Sequence, residues 1–343
     1  MSAFDTLIGQ PQVADRLRAA VEAPVNAYLF VGGRGTGKRR AAALLAGELI
    51  GDDGDRERNR SLAVREEHPD LVIFEPEGNS LRSEEVEGII VEGSRSSVEA
   101  GRKVIVIDRF HEATPEAAAR LLKPIEEPPP STIFVLLAEE VPPEHITIAS
   151  RSTTIDFPSV SVAAIRDALI ARGVTEELAD SAAVGSGGDI GRAELLATDE
   201  AFSHRRQLWW DAPTQVAGSG YDIAQLVMSI VEATDLARAP LEDRHARESE
   251  RMDEQESLTG VRGSGRKAME ARQRREARMQ RTDEWRMGLA TLAQRYRNEF
   301  PDGDRHPEVF ATLTDSAEAL VRNPNDELWL HALFLRLPRV SAS

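Results

Sequence analysis

Seven residues, GGRGTGK from Gly32 to Lys38, constrain this chain more than any other stretch, because they stand between an apolar run and a helical one. The run AYLFV at 27–31 has strand composition, and the segment from Lys38 reads as a helix to about residue 50. Between them the spacing GxxxxGK is met by Gly32, Gly37 and Lys38, with Gly33, Gly35 and Thr36 inside it. Glycines there let the backbone turn its N–H groups inward around phosphate oxygens. The helix N-terminus adds a favourable dipole and the lysine a point charge. The sequence therefore predicts a phosphate-binding loop set in an α/β layer structure.

Up to residue 158, short apolar runs alternate with longer helical stretches, as in a parallel sheet flanked by helices. Five strands are expected, at 27–31, 70–75, 103–108, 132–137 and 153–157. Helices are expected at about 10–22, 38–50, 83–98 and 115–126, the last stopped by Pro128, Pro129 and Pro130. From 161 to about 198, two short helices joined through GSGGDIG make a segment too small to stand alone. From 201 to 343 only helical periodicity remains. Trp285, Leu289, Leu292 and Tyr296 share one helix face, and DELWLHALFLRL after Asn325 reads as a terminal helix buried nearly all round. Residues 241–256 are mainly acidic and 262–281 mainly basic, with Gly263, Ser264 and Gly265 between them. An exposed loop leading into a solvated helix face is one reading; contact with a partner or with DNA is the other.

A formal charge of −16 argues against a protein that grips nucleic-acid phosphates by itself. The absence of cysteine excludes disulfides, thiolate metal sites and cysteine nucleophiles. The opening MSAFDTLIGQPQ lacks the basic and apolar regions of a secretory signal, and no apolar run approaches the roughly 20 residues needed to span a bilayer, so a cytoplasmic protein without a membrane partner is expected.

The residue after Lys38 is ordinarily Ser or Thr, whose hydroxyl ligates Mg²⁺; here it is Arg39, and a guanidinium cannot ligate a cation. Asp108 ends the strand at 103–108, the position from which a carboxylate would hold Mg²⁺ through water. ATP at the loop is thus an open expectation, with Mg²⁺ doubtful.

Several segments together resemble the delta-prime family of bacterial DNA polymerase III clamp-loader subunits, AAA+ proteins related to gamma and tau. They are FDTLIGQPQV, the glycine-rich loop, HPDLVIFEPEG from His68, KVIVID, LLKPIEEPPPSTIFVLLA from Leu121, ITIASRSTTIDF from Ile146, and ELWLHALFLRLPR. The resemblance implies an AAA+ nucleotide-binding domain over 1–158, a small helical lid over 159–200 and an all-α collar over 201–343. It implies gamma/tau-like and delta-like subunits as partners in a ring, which loads the sliding clamp on primer-template DNA.

In such subunits an SRC motif places its arginine at the subunit boundary, facing the ATP of a neighbour. Here the match is Ser150-Arg151-Ser152, which implies Arg151 as an arginine finger acting in trans. Arg109 stands where an active ATPase of this type carries its glutamate, so hydrolysis by the chain itself is expected to be weak or absent. The lid arginine of motor subunits falls, counted from Gly188, on Gly191, leaving Arg192 one position later as its candidate. The four-cysteine zinc module common in the family is absent from GDDGDRERNRSLAVREE, so no zinc is expected. The alternative is an independent AAA+ ATPase acting on DNA or protein through Lys38 and Asp108.

Overall fold

Apolar residues on both faces of three runs, at 27–31, 103–107 and 132–138, dictate a sheet covered on both sides at its centre. The computed structural model describes residues 2–50, 56–76, 80–99, 101–129, 131–216, 220–259, 266–300, 307–322 and 324–338. The strands are β1 (Ala27–Val31), β2 (Leu71–Phe74), β3 (Lys103–Ile107), β4 (Thr132–Ala138) and β5 (Thr153–Asp156). Every pairing is parallel, and the order across the sheet is β2-β3-β4-β1-β5. Side chains alternate between two cores. Tyr28, Phe30, Val104, Val106, Val135 and Leu137 face one, while Leu29, Ile105, Ile107, Phe134 and Leu136 face the other. The helices α1 (Pro11–Glu22) and α2 (Lys38–Leu49) supply apolar residues to the first core, α4 (Ser83–Gly93) and α5 (Pro115–Glu126) to the second. Pro115 at the start of α5, with Thr114 Oγ1 accepting the Ala117 N–H, fixes where that helix begins.

Three local expectations are revised. Residues Arg56–Val64 form a further helix, α3, whose polar sequence carries no strong apolar stripe. It is held by Ala63 against α2 at Gly47, where an added Cβ would come within 2.9 Å of the Arg60 Cα. The helix α4 ends at Gly93 rather than near 98, because the buried carboxylate of Asp70 accepts the N–H groups of Val98 (2.5 Å) and Glu99 (3.0 Å). His68 Nδ1 in turn accepts the Asp70 N–H at 3.0 Å, so the HPD segment is a structural clasp. After a four-residue α6 (Ile146–Ala149) and β5, the region expected to hold two helices holds three: α7 (Val162–Ile170), α8 (Glu176–Gly185) and α9 (Ile190–Thr198). Gly173, at φ +90°, ends the first of them, a break the sequence reading passed over.

Among the described residues five α-helices follow: α10 (Phe202–Gln215), α11 (Gly220–Thr259), α12 (Arg266–Glu299), α13 (Pro307–Ala319) and α14 (Asp326–Arg336). Trp285, Leu289, Leu292 and Tyr296 are all buried on α12. Trp209 meets Trp285 and Phe334, and Trp285 meets Trp329, with ring centroids 5.8 to 6.2 Å apart. The α14 helix is not buried all round: Trp329, Leu330, Leu333 and Phe334 face inward, while Leu328 and Leu335 are about 70% exposed. The acidic and basic runs lie side by side on α11 and α12, through Arg272–Glu248 (2.8 Å), His245–Glu276 (2.9 Å), Arg244–Glu276 and Arg266–Asp253. Part of the basic stretch is thus balanced within the chain, and Gly263, Ser264 and Gly265 lie outside the described residues.

The chain divides into two compact units, 1–165 with 188–190, and 166–187 with 191–343; residues 159–200 are shared between them. In the second unit Gly288 is a point of close approach, where an added Cβ would fall 2.1 Å from Cε2 of the buried Trp209. Gly288→Ala should therefore destabilise the chain by about 1–3 kcal/mol through overpacking. An unchanged urea midpoint would contradict this packing.

Candidate functional site

The loop after β1 is shaped by its glycines. Gly32 N–H donates to the Ala138 carbonyl (3.1 Å), the last rung before the chain leaves the sheet. Gly35 (φ +70°) and Gly37 (φ +92°) then take left-handed backbone, which residues with a Cβ rarely adopt. Thr36 is buried and its Oγ1 donates to the Gly33 carbonyl (2.8 Å). The N–H groups of Gly33, Gly35, Thr36 and Gly37 find no acceptor among the described residues. They stand at the N-terminus of α2, and a Cβ at Gly33 or Gly37 would meet nothing within 4 Å. Unpaired donors, open space and a helix start fit a phosphate.

Lys38 Nζ donates to the carbonyls of Gly32 and Gly33 (2.7 Å to the latter). Burial pushes its pKa down, while the carboxylates of Glu139, Asp108 and Asp189 pull the other way. Two further groups brace the loop. Gln10 Nε2 donates to the carbonyls of Thr36 (3.2 Å) and Pro158 (2.7 Å), and Ile190 N–H donates to the Gly35 carbonyl (3.2 Å). Asp189 packs on Gly35 so closely that a Cβ there would lie 2.1 Å from its Cγ, and Arg34 Nε is 3.6 Å from the same carboxylate.

Arg39 is the centre of a charge cluster. Its Nε and Nη2 donate to the two carboxylate oxygens of Glu66, both at 2.7 Å, and its Nη1 to Glu75 (3.2 Å) and Asp108 (3.3 Å). The hydrogen bonds to Glu66 hold its pKa well above the ordinary arginine value. The other Asp108 oxygen accepts the N–H of Arg109 (2.8 Å), whose φ of +49° turns the chain sharply after β3. The Arg109 guanidinium donates to the Pro76 carbonyl (3.1 Å) and pairs with Glu112 (3.3 Å). A divalent cation does not fit this arrangement, because a fixed positive group already engages the carboxylate that would hold it. Glu66 and Glu75 come from separate loops, which is why sequence reasoning did not pair them with Arg39.

Arg192 is placed with the second unit. Its guanidinium engages Asp283 (3.4 Å) and Glu284 (3.3 Å), and Glu284 also accepts from the buried Arg205 (3.0 Å). All the other loop candidates, Gly32 to Lys38 and Asp108, lie in the first unit, and Arg39 links the start of α2 to Asp108.

Arg151 sits elsewhere in that unit, in the turn between α6 and β5. Register pairs Thr153 with Tyr28 and Asp156 with Val31, so Arg151 enters β5 at the N-terminal edge of the parallel sheet. The loop leaves at the C-terminal edge, roughly 10 Å further along the strands from Thr153. Arg151 Nε donates to Glu126 at the end of α5, and its Nη1 donates to the Thr147 carbonyl (3.0 Å). Its side chain is 39% exposed.

A family model described as "DNA polymerase III, delta subunit" matches residues 9–161. DNA polymerase III subunit delta' of Bacillus subtilis is 33% identical over 208 residues, covering 58% of this chain and 63% of that protein. Subunit delta' of Pseudomonas aeruginosa is 30% identical over 165 residues, covering 46% of this chain and 50% of that protein. The chain thus spans less than two thirds of the length of these relatives. Among solved structures, a gamma subunit-related protein of DNA polymerase III from Thermotoga maritima aligns over 94% of this chain and 97% of its own, with a TM-score of 0.50 at 14% identity, a likeness of fold. The five-stranded parallel α/β domain followed by helices thus shares the fold of that gamma subunit-related protein, and over the matched residues the chain is homologous to the delta-prime subunits of DNA polymerase III.

Proposed function

We propose that this chain acts as a delta-prime-like subunit of a DNA polymerase III clamp loader. In this reading it occupies a ring with gamma/tau-like and delta-like subunits, helps place the sliding clamp on primed DNA, and lends Arg151 to ATP held by a neighbour. The three-part division into a nucleotide domain over 1–158, a lid over 159–200 and a collar over 201–343 belongs to the same proposal. The observation that carries it is the position of Arg151, exposed at the sheet edge opposite its own loop. An arginine there is out of reach of phosphates bound at Lys38, yet open to a second subunit. A planar, always-charged guanidinium suits the charge that develops on a transferring phosphoryl group.

Hydrolysis at the chain's own loop is assigned no role. ATP there would be held by Lys38 and the backbone donors of Gly33, Gly35, Thr36 and Gly37, and Asp108 is engaged by Arg39 and the Arg109 N–H. Arg192 is committed to Asp283 and Glu284, which disfavours it as a reader of nucleotide. An independent ATPase would need that cluster dismantled.

In the reconstituted assembly, Arg151→Ala should leave subunit association intact and slow DNA-stimulated ATP hydrolysis at the site it serves by on the order of 10³-fold. Lys38→Ala should leave total turnover unchanged; a collapse of turnover would favour the independent ATPase. For the charge cluster, Mn²⁺ should not raise the melting temperature of the wild-type chain but should raise that of Arg39→Ser, in which no guanidinium from α2 engages Asp108. Equal stabilisation of both proteins would place the cation site elsewhere.

A further inference from the structure

Glu126 lies in the segment LLKPIEEPPP, at the C-terminal end of α5, and its carboxylate accepts the Nε–H of Arg151. Thr147, one helical turn before Arg151, accepts from Nη1 at 3.0 Å, and Ser150 Oγ lies 3.4 Å from the same nitrogen. These partners come from two separate elements, the end of α5 and the α6 turn, and they engage Nε and Nη1. Nη2 has no hydrogen-bond partner among the described residues. Of the five N–H donors of the group, the two on Nη2 remain available to a ligand.

Holding an arginine in one rotamer costs side-chain entropy, which a free side chain would lose at the moment of reaction. A group fixed beforehand contributes more to a developing charge than one that must reorganise. An acid placed on Nη1 and Nη2 together would compete with a phosphate for the same donors. Glu126 engages Nε alone, which leaves Nη2 unengaged and sets the plane of the group instead.

We propose that Glu126 is a positioning residue for Arg151: it orients the guanidinium through Nε so that Nη2 is presented to the phosphate of a neighbouring subunit. The inference rests on the trans role proposed for Arg151 above. Both side chains are substantially exposed, so their pairing has little weight as a stabilising salt bridge, and a merely structural role would leave catalysis untouched.

The test uses the full clamp-loader assembly reconstituted with this chain, measuring DNA-stimulated ATP turnover against ATP concentration. Glu126→Ala, which removes the acceptor, should lower kcat on the order of tenfold with KM for ATP and subunit association unchanged. Glu126→Gln, whose amide oxygen can still accept from Nε, should recover most of that loss. In an Arg151→Ala background, Glu126→Ala should have no further effect. Wild-type turnover by Glu126→Ala beside a defective Arg151→Ala would overturn the positioning role alone. An additive loss in the double variant would also overturn it, since Glu126 would then act independently. Wild-type turnover by Arg151→Ala would remove the trans role and this inference with it.

Discussion

Burial of a parallel sheet on both faces is the constraint from which the placement of each candidate group in the first unit follows. With β1, β3 and β4 enclosed between two apolar cores, strand order and register are fixed by which side chains fill which face. Parallel strands also share one C-terminal edge. The glycine-rich loop after β1 and Asp108 after β3 therefore open on the same side, close enough for Arg39 to join them. Segments entering the strands gather at the other edge, and Arg151 enters β5 there. One geometric rule thus separates a phosphate cradle from an exposed arginine within a single domain.

At the C-terminal edge, a loop shaped for phosphate stands beside a carboxylate, Asp108, that a guanidinium already engages. The left-handed Gly35 and Gly37 and the unpaired N–H groups preserve the cradle. The bidentate pairing of Arg39 with Glu66, and its reach to Glu75 and Asp108, fills the neighbouring space with a covalently attached cation.

Much of this was legible in the chain. The five strands came from short β-branched runs, and the helix face of Trp285, Leu289, Leu292 and Tyr296 from its spacing, because both depend on local periodicity. What escaped depends on distant partners. The helix α3 has no strong apolar stripe and exists because Gly47 lets Ala63 approach α2. The end of α4 is decided by Asp70, which precedes it on β2's side of the chain, and the exposure of Leu328 and Leu335 by how the bundle packs. At the site, Arg39 was recognisable as a departure, but its acidic partners Glu66 and Glu75 arrive from other loops. Arg192 was a candidate by count alone, and Asp283 and Glu284, some ninety residues on, decide where it points.

In the proposed function, the chemistry of this chain is exercised by Arg151 on a neighbour's nucleotide and not by its own loop. It is tested most directly by an electron cryomicroscopy map of the assembled clamp loader bound to a non-hydrolysable ATP analogue. The Arg151 guanidinium should lie within hydrogen-bonding distance, about 3 Å, of the γ-phosphate on the adjacent subunit. An Arg151 directed to solvent, with that phosphate met by a different side chain, would contradict it.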